Sequence, residues 1–256
     1  MYERTWSHGE TNLRIKCDEP RAIDAAIDAA LGARREIERF ILKCPEFRWS
    51  LEPLKLGDGH PRVIGLMLRA GELAGVGPFA AVAGAISQVA AEAARKAGAE
   101  NVVVENGGDV AIIGARDFRV GVFAGDAKSS GKLGLLVRAA ELPIGICTSS
   151  GTVGHSISFG EADAVVAVAR EASVADAAAT SIANSVAGAD VKSSVEQGLR
   201  RAKCIPEVQG CLIVRGEHIG TRGKLPELIR VAPESRELST TLEKYRSYWP
   251  EQALIL

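Results

Sequence analysis

The stretch from Gly75 to Asp109 constrains this chain more than any other. Pro78 suits the first helical position, where its missing N–H costs nothing. Phe79, Val82, Ala83, Ile86, Val89, Ala90 and Ala93 then recur at helical spacing, so one stripe faces a core. Arg95, Lys96 and Gly98 close the helix, with cations in the last turn and a residue free to take positive φ just beyond. Asn101 to Val104 is short and β-branched, which predicts a buried strand. Gly107 and Gly108 follow, leaving no Cβ where main-chain amides could approach a ligand, and Asn106 and Asp109 flank them.

On either side of this stretch the pattern alternates between sheet and helix. Residues 11–17 alternate polar and apolar as a strand with one wet face does. Asp18 is the expected cap of a helix opened by Pro20, with a stripe of Ile23, Ile27, Ala30, Ile37 and Ile41 that Pro45 stops. Residues 46–61 read as an irregular connection, and 62–68 as a strand leading into the central helix. Beyond Asp109 come short β runs at 110–113, 118–123, 133–137, 144–148 and 164–168, then helices at 173–187 and 190–203 and a last strand at 210–214. Strands so closely spaced predict an antiparallel or mixed sheet and an α+β fold with helices packed on sheet. The chain is expected to form one domain over residues 1–256. Within it, 233–256 is a tail, either packed on its own domain or making an oligomer contact.

With 46% hydrophobic and 25% charged residues, the composition is that of a globular protein, and a net charge of −1 offers no footprint for nucleic acid. No run approaches the apolar length of a membrane span, and the polar start, Met1 to Trp6, lacks a signal core, so a cytoplasmic location is expected. Five cysteines without C-x-x-C spacing read as buried thiols.

Chemistry is expected where three segments meet: the 105–109 loop, Cys147 to Gly151, and Ala175 to Thr180. Asp176 and Thr180 lie four apart on a helix, so both oxygens leave one face, a partial shell suited to Mg²⁺. The competing reading is a capping box between Ser173 and Asp176. Thr148, Ser149, Ser150 and Gly151 offer hydroxyls and amides to phosphate oxygens, or form an ordinary turn. His155 is the candidate for proton transfer. Two further motifs compete. Residues 125–132 imitate a P-loop without its Ser/Thr or its helix, and read as a hairpin loop. Gly75-Val76-Gly77-Pro78-Phe79-Ala80, with Glu105 downstream, imitates a dinucleotide fingerprint and keeps an NAD-dependent oxidoreductase as an alternative.

The run Val76 to Gly84 together with the Glu105–Asp109 loop resembles an uncharacterised family within the ApbE-like superfamily. The resemblance implies an ApbE-like fold and kinship with a magnesium-dependent flavin transferase that moves FMN from FAD onto a protein threonine or serine. It implies Asp176 and Thr180 as magnesium ligands, by match to an Ala-Asp-x-x-x-Thr motif. It implies Thr148 to Gly151 beside the flavin nucleotide, and Asn106, Gly107, Gly108 and Asp109 as the Asn-x-Gly-Gly-Asp stretch. The expected ligands are therefore Mg²⁺ and FAD or FMN, and the expected partner is a nucleotide-sized molecule, turned over by a transferase or a pyrophosphatase-like enzyme. The sequence departs from ApbE at Gly154 to Gly160, which lacks the His-x-x-Asp-Pro segment. That departure supports the alternative of a non-catalytic flavin or small-ligand binding protein.

Overall fold

The computed structural model describes residues 1–57, 59–122, 133–149 and 160–230. Strands β1 (Tyr2–His8) and β2 (Thr11–Cys17) form a hairpin that leads into the long helix α1 (Pro20–Lys43). A single turn, α2 (Glu46–Trp49), precedes α3 (Arg62–Ala74), a 3-10 turn over Pro78–Ala81 and α4 (Val82–Lys96). Then come β3 (Val102–Asn106), β4 (Asp109–Ile113), β5 (Phe118–Val122), β6 (Leu133–Val137), β7 (Ile144–Ser149) and β8 (Ala164–Ala169). Helices α5 (Ala172–Asn184) and α6 (Val191–Cys204) follow, and β9 (Val208–Arg215), β10 (His218–Gly223) and β11 (Glu227–Arg230) come last.

The fold is α+β. Eight strands form one sheet in the order β1-β2-β3-β4-β7-β8-β9-β10, and β11-β6-β5 form a second. Every pairing is antiparallel. Period-two alternation sorts the large sheet's side chains into two cores. Ile15, Val102, Val104, Cys147, Val165, Ala167 and Ile213 face the helices. Val110, Ile112, Ile144, Ile146, Val166 and Leu212 face Phe118, Leu135 and Val137 of the small sheet. Among the described residues no single helix is long and apolar enough to cross a membrane.

Helix α5 lies at the centre of the helical layer, and all its residues from Ala172 to Ala183 are buried. Its alanines let neighbours come close. A Cβ on Gly145 of β7 would sit 2.3 Å from the Ala172 Cα, and one on Gly84 of α4 would sit 2.3 Å from the Ala172 carbonyl oxygen. The start of α5 is therefore in close contact with both β7 and α4.

Several boundaries differ from expectation. Residues 62–68 belong to α3 and not to a strand; the buried set Val63, Ile64, Met67, Ala70, Gly71 and Ala74 shows helical spacing only when followed past Leu68. Gly75 is the left-handed cap of that helix, φ 63°, so a helix and not a strand feeds the glycine pair and the dinucleotide fingerprint fails. The strand at 210–214 is not the last, since β10 and β11 follow the Gly216 turn. Of the stripe expected on α4 only Ile86 and Ala90 are buried, with Phe79, Val82, Ala83, Val89 and Ala93 half-buried; packing against α1 and α5 instead buries Gly84, Ala85, Ser87, Gln88, Ala91 and Ala94. The P-loop imitation at 125–132 and the tail at 233–256 lie outside the described residues.

Asp18 does not cap α1; Glu19 does, its carboxylate accepting from the Arg21 amide. Asp18 instead accepts from the main-chain N–H of Glu100 and Asn101 and from Asn101 Nδ2, tying β2 to the turn before β3. Asp18→Ala removes the acceptor of two main-chain amides, a loss comparable to a helix cap, worth about 0.5–2 kcal/mol. At roughly 2–4 °C per kcal/mol, a thermal melt should show a fall of a few degrees, and an unchanged midpoint would contradict this role.

Candidate functional site at the sheet end

Asn106 and Asp109 close the β3–β4 hairpin through Gly107 (φ 64°) and Gly108 (φ 103°). Two successive positive φ angles are what a type I′ turn demands, so the paired glycines have a structural reason to be there. A Cβ on either would meet nothing within 4 Å, and the space beside the turn is open. Asn106 Oδ1 accepts from the Asn12 amide at 3.2 Å, and its Nδ2 donates to the Ala83 carbonyl at 3.4 Å, fixing the hairpin to β2 and to the start of α4. Ser87 Oγ donates to the Asp109 carbonyl at 2.9 Å.

The Asp109 side chain points to the helix layer and is buried, with Oδ1 enclosed and without a hydrogen-bond partner. Burial and the nearby Asp176 carboxyl push its pKa well above the usual carboxylate range, against the Cys147 thiol and the Thr148 amide that hydrogen-bond to the carboxyl. Asp176 is buried too. Its Oδ2 accepts from the Gly84 amide at 2.8 Å, and the Ala83 amide also donates to the carboxyl. Burial raises its pKa to about 7 in spite of those two N–H groups.

Asp176 thus serves as the cap that α4 lacks, since Ala81 at that helix's N-cap has no side-chain acceptor. The capping box expected within α5 does not form. The helix starts at Ala172 with Glu171 as N-cap, which puts Ser173 inside the first turn. Ser173 bonds instead to Gln88 Oε1 through both its amide and its hydroxyl. Thr180 lies one turn beyond Asp176 on the same face and is buried.

On β7, Cys147 and Ser149 share the helix-facing side, while alternation turns Thr148 to the other face. Thr148 therefore reaches the site through its amide and not its hydroxyl. Ser149 Oγ is buried and without a partner. Cys147 Sγ donates to the Ala172 carbonyl at 3.3 Å, and burial with the two nearby carboxyls holds its pKa well above the ordinary thiol value. It is a packed thiol and not a nucleophile. Ser150, Gly151 and His155 lie outside the described residues.

Of the expected set, Asn106, Asp109 and Asp176 are tied together through α4, whose Ala83, Ser87 and Gly84 each bond to one of them, while Thr180 shares the helix face of Asp176 and Ser149 the helix-facing side of β7. Sequence reasoning overlooked Gly84, Ser87 and Gln88, the α4 residues that hold this constellation. A glycine inside an alanine-rich helix was the available signal, since glycine there weakens a helix unless something must come close. Two buried carboxyls with like charge, an unpartnered oxygen on Asp109 and Ser149, and the Thr180 hydroxyl make an all-oxygen donor set suited to a hard divalent cation that keeps several waters. Among the described residues no group of three His, Cys, Asp or Glu gathers.

A family model described as "AbpE bacteria" matches residues 3–202. The chain belongs to this family. The chain is also similar to UPF0280 proteins from methanogens. One from Methanocaldococcus jannaschii is 40% identical over 86% of this chain and 90% of its own. Another, from Methanothermobacter thermautotrophicus, is 47% identical over 78% and 77%. The flavin transferase ApbE from Vibrio cholerae shares the fold with a TM-score of 0.53 and 14% identity, covering 88% of this chain and 97% of that one. An ApbE protein from Thermotoga maritima gives a TM-score of 0.51 at 16% identity.

Proposed function

We propose that the cleft between the β3–β4 hairpin, the end of β7 and the first turns of α5 takes a flavin or another phosphate-bearing nucleotide with the help of a divalent cation such as Mg²⁺. The observation that carries the reading is the facing pair Asp109 and Asp176, buried together with an oxygen left unpartnered. Two burying carboxyls repel, and the arrangement becomes favourable once a cation lies between them. The likeness of fold to proteins named flavin transferases supports a flavin as the nucleotide.

Asp109 and Asp176 would hold the cation, with Thr180 as a third oxygen. Bound there, such an ion supplies charge neutralisation for pyrophosphate oxygens. Ser149 offers its free hydroxyl to a phosphate, and the open space beside Gly107 and Gly108 admits the ligand to the main chain. His155, outside the described residues, is the group proposed for proton transfer.

Titration calorimetry with FAD, with and without MgCl₂, tests the reading. Binding should require Mg²⁺ and weaken at least tenfold in Asp109→Asn. Absence of FAD binding by the wild type, or equal binding by that variant, would remove the proposal. FAD bound without any product in a turnover assay would favour the non-catalytic binding protein, to which the missing His-x-x-Asp-Pro segment also points.

A further inference from the structure

The large sheet ends at β1, which pairs with β2 on one side and with no described strand on the other. All seven residues from Tyr2 to His8 stand in register with β2 without a bulge, and the strand is mostly exposed. Exposed edges are normally guarded by short length, proline, bulges or free charges. Here both charges are engaged within the chain: Glu3 with Arg14 and Lys16, and Arg4 with Asp24.

The direction of the main chain follows from one bond. The Asn12 amide points toward β3, where Asn106 Oδ1 accepts it. Amides in an antiparallel strand alternate between its two neighbours, so Leu13, Ile15 and Cys17 turn theirs to Trp6, Arg4 and Tyr2. The N–H and C=O groups of Glu3, Thr5 and Ser7 consequently face outward, away from β2.

We propose that β1 pairs antiparallel with β1 of a second copy about a two-fold axis at Thr5, joining the two large sheets into one. In this register Thr5 opposes its own symmetry mate and Glu3 opposes Ser7. Those are the residues with outward main-chain groups, so each falls in a hydrogen-bonded pair. Arg4 opposes Trp6 in the closer pairs between them, where a guanidinium can lie on an indole face, and Tyr2 opposes His8. The axis has little freedom. Moved to residue 4 or 6 it sets Arg4 against Arg4 or against His8, and leaves only residues 2–6 or 4–8 in the ladder. A half-residue shift sets an outward amide against an inward one. The contact is isologous and closes on itself, as two-fold interfaces do.

Size-exclusion chromatography with light scattering on the full chain, at micromolar concentration, should give twice the 27.0 kDa of one copy. Thr5→Pro deletes an outward N–H that β2 does not use, and should give a monomer with unchanged circular dichroism. Thr5→Lys sets two ammonium groups against each other at the axis. It should weaken association at least tenfold, and less so in high salt. A monomeric wild type, as when residues 231–256 of the same chain cover this edge, overturns the proposal. So does a dimer that survives both substitutions, and where Thr5→Pro fails to fold, Thr5→Lys decides alone.

Discussion

Raised from about pH 5 to about pH 8 without divalent cations, the protein should lose stability. Asp176 titrates near 3.8 when unfolded and at about 7 when folded, so its contribution is complete below the lower value and is lost as pH rises through the upper one. Asp109 shifts in the same direction, for burial and for the proximity of Asp176, and Glu105 is also raised by burial. The carboxylates held low, such as Glu3, Asp18 and Asp190, lose their contribution only in more acid solution and do not mask the effect. One pH unit is worth about 1.4 kcal/mol per group, so Asp176 alone should account for roughly 2–3 kcal/mol between pH 5 and 7. Urea unfolding at a series of pH values measures it. Asp176→Asn should flatten the slope, and millimolar MgCl₂ should restore stability at pH 8 in the wild type only; a flat wild-type profile would refute the buried pair.

Gly84→Ala should damage the site with a single methyl group. Its Cβ would lie 2.3 Å from the Ala172 carbonyl oxygen and 2.7 Å from the Asp176 Cβ, and the first of these belongs to the main chain of a buried helix. Separation of α4 from α5 is the remedy open to the structure. Overpacking of this kind costs about 1–3 kcal/mol, and at roughly 2–4 °C per kcal/mol the melting point should fall by several degrees. Because the same displacement draws the Gly84 amide away from Asp176, Mg²⁺-dependent FAD binding should weaken with it. Gly98→Ala makes a useful control: that glycine has open space around it, and only its positive φ of 103° opposes a side chain. An equal or smaller loss in Gly84→Ala would show that the helices are not so closely apposed.

The glycine pair, the alternating strands and the helix after Pro78, apart from its first turn over Pro78–Ala81, which is 3-10, were legible because each follows a local rule of turn geometry or periodicity. The α+β class followed from them. Residues 62–68 misled because the six-residue uncharged run from Val63 to Leu68 fits a strand as well as a helix. Asp176 misled differently. Ser173 and Asp176 have the spacing of a capping box, and no local rule says that a carboxylate will cap a helix 92 residues away in sequence. Thr148 fell into the same gap: its place in the chain was right, but strand phase turned its hydroxyl from the site, and phase is fixed only by the neighbours in the sheet.

Helix α5 is enclosed on all sides, and that has a bearing on how anything could be recognised here. A side chain rooted in such a rod cannot swing out to greet an arriving molecule, nor can the rod tilt without disturbing its points of nearest approach to β7 and to α4. The acid at position 176 is therefore a fixed post. Adaptation to the shape of a guest is left to the hairpin tip at Gly107 and Gly108, whose surroundings are empty, so guests should be discriminated there and held at the post.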